Sequence, residues 1–381
     1  MTISSAIKLS INQLFIFTSI NDKFVVDTFG EMSLKFVLLL FLCVNLNTIM
    51  SFKGWSKQNL PFLCLLISML LTLFINWHQY VDVYQAINSL ISILLIYTVF
   101  SQLESPRQFI WGYSISALFS AILCITSINT LGEYNFRKTG GMGDPNEFSV
   151  TILIPLCFLS GYILRYRTKF NIILIITVLL YIISLLLAGS KSAMITFCLI
   201  VFFVICYLIF VYSGEHKIKI FVGTCCLLGV IFLILNQYYN DIFYQVLGRF
   251  ENSGTANERL LSWKAGIRLF ESYPFFGIGI CNYVNLIGTY NPTMLSGSRA
   301  AHNMYVQALV ETGACGFLAY LWCLTRVLYR QYRYQIYSFE IFVCFLPILI
   351  MGGTLSLLYE KYVWIIIALL YNKNEIKNRG L

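Results

Sequence analysis

The chain has 381 residues, of which 58% are hydrophobic and 11% charged, with a formal net charge of +9. A soluble domain carries roughly 25% charged residues, so a soluble globular protein is excluded and most of this chain must sit in lipid. The apolar runs are continuous rather than alternating, which excludes a transmembrane β-barrel and leaves an all-α polytopic membrane protein.

A spanning helix needs about 20 apolar residues. In chain order, spans are expected at about 9–29, 33–51, 59–77, 83–101, 108–129, 147–164, 170–188, 192–212, 217–236, 301–325, 338–356 and 361–372, which makes about 12. Asn12, Asp22, Lys23 and Asp27 interrupt the first, and the last is short. Residues 1–21 hold only Lys8 as a basic residue and no clear small-residue cleavage site, so the first span is expected to stay as an anchor. One integral membrane domain, 1–381, is expected, with a large outer loop at 237–300 between the ninth and tenth spans. No internal repeat or low-complexity tract is evident.

Charge orients this layout. With the N-terminus inside, the inner segments collect Lys8, Lys53, Lys57, Arg107, Arg165, Arg167, Lys169, Lys217, Lys219, Arg326, Arg330, Arg333, Lys373, Lys377 and Arg379, fifteen of the 26 basic residues. They lie in short loops, where basic residues mark the cytoplasmic side. Both termini are therefore expected in the cytoplasm and 237–300 outside. The other eleven fall on the outer side: Lys23, Lys35, Arg137, Lys138, Lys191, Arg249, Arg259, Lys264, Arg268, Arg299 and Lys361. A basic outer face points to an anionic ligand, or to contact with membrane lipid headgroups. No nucleic-acid partner is expected.

The twelve cysteines carry no CxxC pair and no His/Cys cluster, and only Cys281 lies in the large loop. The rest read as small hydrophobes in spans, so neither a disulfide framework nor a metal site is expected.

Gly140-Gly141-Met142-Gly143-Asp144-Pro145-Asn146-Glu147-Phe148-Ser149 is an outer loop running into a helix start. Asp144 or Asn146 can cap that helix, with Pro145 in its first turn. The same N-terminus, with Arg137 and Lys138 upstream, can hold an anion. Gly189-Ser190-Lys191-Ser192 is a tight outer turn, whose lysine either snorkels or binds phosphate. In the large loop, 258–271 reads as an amphipathic helix with Leu261, Lys264, Ala265, Arg268 and Leu269 at helical spacing. Trp263 and Tyr273 suit a membrane interface. Pro274 ends the helix, Gly277-Ile278-Gly279 turns, and a second helix is expected from about Ala300. Arg259 and Arg268 are nine positions apart, so they point about 180° from each other. The planar fork of Arg259 suits a phosphate; a salt bridge with Glu258 or a headgroup contact is the alternative.

His302 stands in Arg299-Ala300-Ala301-His302-Asn303-Met304-Tyr305, one of only three histidines. A neutral imidazole with a pKa near 6.5 can take a proton from a sugar hydroxyl. The alternative is a structural histidine at a helix start. Asn303, Gln307 and Glu311 follow at four-residue steps on roughly one face. The spans hold almost no buried charge, which argues against a proton-coupled transporter.

Four ordered pieces, GDPNEFS, GSKSA, ERLLSWKAGIRLFESYPFFGIG and RAAHNMYVQALVETGACG, resemble the O-antigen ligase and polymerase superfamily over about 140–320. The resemblance implies a GT-C-like helical bundle in the bacterial inner membrane with a periplasmic active site. It implies an undecaprenyl-pyrophosphate-linked oligosaccharide as donor, with no metal, nucleotide sugar or other cofactor. It implies His302 as the base that activates the acceptor hydroxyl and Arg259 as the pyrophosphate holder. Lys191 stands where the family commonly has arginine. Arg137, Arg268 and Arg299 are further pyrophosphate candidates, and Asn303, Asp144, Asn146 and Glu311 are substrate-binding or supporting candidates. A polymerase is expected, because the chain is aromatic-rich and idiosyncratic outside the motifs. A ligase acting on lipid A–core is the alternative within the class, and a lipid-linked oligosaccharide flippase the alternative outside it. A chain-length regulator and a flippase are candidate partners.

Overall fold

The computed structural model describes residues 3–52, 56–79, 82–103, 105–126, 138–166, 172–210, 254–290, 300–334 and 339–372, and every regular element among them is helical. The expected span at 217–236 lies outside these residues.

The first expected span is two helices, α1 (Ile3–Ile20) and α2 (Asp22–Phe29). The chain breaks at Asn21, which is fully buried and whose amide donates to the carbonyls of Phe17 and Ser116, both at 3.2 Å. A side chain that bonds backbone in this way competes with helix continuation. Next come α3 (Glu31–Met50), α4 (Leu60–Ile75), α5 (Val83–Phe100), α6 (Pro106–Thr126), α7 (Pro145–Tyr166), α8 (Ile172–Ala188) and α9 (Lys191–Phe210). Inside the bundle, the Asn45 amide donates to Asn12 Oδ1 at 2.6 Å, so the polar residue that interrupts the first span has a partner.

In the large loop, α10 covers Gly254–Ser272 and α11 covers Tyr283–Tyr290. Helix α12 (Met304–Tyr334) begins four residues after the expected Ala300 and contains a break at Gly313. The span expected at 338–356 is two short helices, α13 (Phe339–Phe342) and α14 (Phe345–Met351), and α15 (Lys361–Leu370) follows. Among the described residues, five helices are long and apolar enough to cross a membrane: α3, α5, α6, and the apolar stretches Pro145–Ile163 of α7 and Met304–Arg330 of α12. These five do not by themselves make up the about 12 spans expected; α4, α8, α9 and α15 are further apolar helices that are shorter, or are described over fewer residues.

Helix α12 packs along α4, α15 along α5, and α8 against α6 and α7. Phe36, Phe74, Ile115, Ile173 and Leu318 point outward from five different helices, each more than half exposed. Exposed apolar surface on that scale is costly in water and expected in lipid, and the chain is a membrane protein. Cys43, Cys64, Cys124, Cys157, Cys198, Cys281, Cys315, Cys323 and Cys344 are free thiols.

The bundle has two distinct ends. At one, Asn372 donates to the carbonyls of Phe100 and Leu103 at 3.1 and 2.8 Å, and Arg107 meets Glu340 at 3.5 Å. Lys57, Arg326 and Arg330 lie toward this end by the run of α4 and α12. At the other, Asn76 at the foot of α4 donates to the Gly277 carbonyl at 3.2 Å, and the large-loop helices cover the start of α12.

Helix α12 is joined to the large loop at its break. In an unbroken helix the carbonyls of Val310 and Glu311 would accept from Ala314 and Cys315. Here they accept from Ile278 and Gly279 instead, both at 3.0 Å, while Ala314 and Cys315 donate to Pro274 and Phe275 at 2.8 and 3.3 Å. Segment 274–279 thus takes over both halves of two missing helical bonds. Gly313 has φ 65° and ψ −172° and Gly277 φ 66°. The two backbones lie against each other, so a Cβ on either would collide with the other segment.

Candidate functional site

Helix α10 forms over the expected segment, but its buried stripe is Ser262, Ala265 and Leu269; Leu261 and Lys264 face outward. That stripe packs on Ile278, Tyr283, Ile287, Ala301 and Val310. Two consecutive residues of α10 grip the segment before His302: Ser262 Oγ donates to the Ala300 carbonyl at 3.2 Å, and Trp263 Nε1 to the Ala301 carbonyl at 2.8 Å. Trp263, expected at a membrane interface, is half-buried and spends its indole N–H inside the protein.

His302 follows with φ 46°, in the left-handed region. Its backbone N–H donates to Ser356 Oγ at 2.9 Å. Asn303 then caps α12, its Oδ1 accepting from the N–H groups of Tyr305 and Val306 at 2.9 and 3.1 Å. The Met304 N–H donates to the Gly352 carbonyl at 2.7 Å and the Tyr305 hydroxyl to Leu349 at 2.8 Å, which seat the start of α12 on α14.

Arg259 lies one turn before Trp263 and therefore on the same face of α10. It comes close enough to His302 to act on its charge. Partial burial, then Arg259, pushes the His302 pKa below 6.5; Asp144 and Glu258 pull the other way. Arg259 is half-buried and also feels Asp144. Arg268, nine residues on, is exposed.

Asp144 caps α7: its Oδ1 accepts from the N–H groups of Asn146 and Glu147 at 2.6 and 3.1 Å. The Asn146 side chain accepts from Ser190 Oγ at 2.8 Å, and Ser190 in turn accepts from the Ala193 N–H at 3.4 Å at the start of α9. The GDPNEFS loop and the GSKSA turn are thus bonded to each other, and Lys191 is the first residue of α9. A cation there opposes the helix dipole, so a lysine at this point is unfavourable unless an anion compensates it. Glu360, which precedes α15, interacts with Asp22 and Asp144. The starts of α7 and α9 are thus bonded to each other, and Asp144 acts electrostatically on His302 before α12 and on Glu360 before α15. Arg137 and Arg299 lie outside the described residues.

Glu311 ties three segments together. It is buried; its Oε1 accepts from the Tyr283 N–H at 3.0 Å and the Gln307 amide at 3.5 Å, and its Oε2 accepts from the Tyr359 hydroxyl. The Tyr359 oxygen also accepts from the Cys281 N–H at 3.2 Å. Glu311 thus staples α11 and the 356–360 segment to α12. Sequence reading missed Ser262, Ser356, Tyr359 and Glu360. Only Ser262 had a visible signal, as a small polar residue on the buried side of an amphipathic helix.

Residues 176–321 match the family model described as O-Antigen ligase. The interval holds Lys191, Arg259, His302 and Glu311, and leaves out Asp144 and Asn146. The match supports the O-antigen ligase/polymerase superfamily, and with it a glycosyltransferase of the O-antigen ligase/polymerase type, without distinguishing the two. No curated protein matches the chain.

Proposed function

We propose that the chain is an O-antigen polymerase. It transfers a glycan from an undecaprenyl-pyrophosphate-linked donor to a sugar hydroxyl of a lipid-linked acceptor repeat, at the periplasmic face of the bacterial inner membrane. The observation that carries this reading is the half-buried His302 at the entry to α12, whose protonation Arg259 of α10 opposes and Asp144, the cap of α7, favours.

His302, neutral at physiological pH, takes the acceptor hydroxyl proton as that oxygen attacks the anomeric carbon. The bond from that carbon to the pyrophosphate oxygen breaks, and negative charge grows on the leaving group. Arg259 and Lys191, with the N-terminal dipoles of α7 and α9, stabilise that charge as it develops. Arg137 and Arg299 are further candidates for the same anion. Arg268, exposed and turned away from Arg259, suits a lipid headgroup. Asp144, Asn146 and Asn303 hold the helix starts that frame the site, and Glu311 holds the loop that carries it. No step in this scheme calls for a metal or cofactor.

In this reading both termini are cytoplasmic, 1–381 forms one membrane domain, and 237–300 lies in the periplasm. Lipid-linked substrates enter from the membrane. A flippase delivers them and a chain-length regulator acts on the product. The description of the matched family favours a second reading, a ligase that moves the glycan to lipid A–core with the same residues. A flippase is the weaker reading, since moving a lipid-linked sugar needs no fixed histidine–arginine pair.

His302→Ala is expected to abolish polymer while the protein still inserts. Normal polymer length in that variant overturns the reading. In a strain lacking the protein, single-repeat caps on lipid A–core indicate a polymerase. Bare core with lipid-linked polymer accumulating indicates a ligase.

A further inference from the structure

We infer that Trp263 is a positioning residue, whose indole N–H, donated to the Ala301 carbonyl at 2.8 Å, ties the backbone just before His302 to the face of α10 that carries Arg259. The inference rests on His302 acting as the base and adds the device that aims it. Residues with a Cβ rarely keep a positive φ unless their surroundings over-determine it. At His302 they do so from both sides. Upstream, Ser262 and Trp263 hold the Ala300 and Ala301 carbonyls. Downstream, Ser356 accepts the His302 N–H, and Asn303 fixes the first turn of α12.

Trp263 is the member of this set that couples the histidine to the cation. It shares a helix face with Arg259, one turn away, so a rigid element carries both Arg259 and the bond next to His302. Losing that bond lets the imidazole drift relative to Arg259 while leaving Arg259 itself in place. Among the described residues, Arg259 and Glu258 of α10 and Asp144 at the start of α7 act on the charge of His302. Arg259 opposes protonation of the ring and the two acids favour it.

The test uses the full-length protein in lipid nanodiscs with Trp263→Phe, which keeps an aromatic ring and removes the donor. Steady-state transfer is measured across pH with purified lipid-linked repeat. Diethyl pyrocarbonate labelling of His302 is followed by mass spectrometry, with exposed His78 as internal reference. The expected result is a fall in kcat on the order of tenfold to a hundredfold, the scale of a small misplacement of a catalytic group. The KM for the donor stays within about twofold, because Arg259 is retained. The acidic limb of the pH profile moves up toward 6.5, and His302 labels faster relative to His78. Unchanged kcat, pH limb and labelling in Trp263→Phe overturn the inference. If Trp263→Phe does not insert, Ser262→Ala is read by the same criteria. The two readings fail separately. Active His302→Ala with altered His302 labelling in Trp263→Phe removes the base role and keeps the positioning. Inactive His302→Ala beside a fully normal Trp263→Phe removes the positioning alone.

Discussion

Gly313→Ala should undock segment 274–279 from α12. At φ 65° and ψ −172° the backbone is in a region used almost solely by glycine, and a Cβ there costs about 1–3 kcal/mol. The new methyl also meets the Phe275 carbonyl and the Gly277 amide, which are backbone atoms with no rotamer to yield. The undocked alternative is a healed helix, in which Val310 and Glu311 bond again to Ala314 and Cys315. Alanine favours that helix over glycine by about 1 kcal/mol. Together the docking equilibrium shifts by about 2–4 kcal/mol, or about 30- to 700-fold at 1.4 kcal/mol per factor of ten. Hydrogen exchange of a peptide covering Ile278 and Gly279 reads this directly, since both amides are protected only by the docked arrangement. The exchange rate should rise by a comparable factor, and glycan transfer should fall with it. Unchanged protection in Gly313→Ala refutes the account of the break as an exchange of helical partners.

Arg259→Gln should lower transfer by about a hundredfold, the scale seen when a donor to developing negative charge is removed. It should also move the acidic limb of the pH–rate profile up toward 6.5, because the positive charge that opposes His302 protonation is gone. A limb that stays in place or moves down contradicts the proximity of the two side chains. Tyr359→Phe leaves the Glu311 carboxylate and the Cys281 N–H each short of a partner, at a cost of about 1–3 kcal/mol. The thermal midpoint in detergent should drop, and maleimide should reach the Cys281 thiol, whose pKa burial and then Glu311 push up to about 12. An unaltered midpoint and an unreactive thiol count against the Glu311 staple.

Composition made the helical membrane class legible, and the polar cluster Asn12, Asp22, Lys23 and Asp27 marked the weak point where α1 gives way to α2. The amphipathic helix around Arg259 was readable from period alone. Which of its faces is buried was not, because Leu261 and Ser262 are neighbours and only the packing on Tyr283 and Ile287 decides between them. The Gly313 break was not legible, since a lone glycine within a helical pattern is compatible with an unbroken helix and the segment that takes over its hydrogen bonds, 274–279, is distant in sequence. Glu311 shows the limit of spacing arguments. Four-residue steps from Asn303 put it on the right helix face, but its partners Tyr283 and Tyr359 come from segments no local pattern connects.

The φ of 46° at His302 bears on what selection keeps there. If chain comfort alone ruled, a residue without a side chain would sit at that spot and relieve the torsion. In the proposed reading the imidazole is kept there for its chemistry, against a standing local penalty. Replacing it with glycine should therefore give a chain that folds at least as readily as the parent and makes no polymer, so that durability and output part company at one residue.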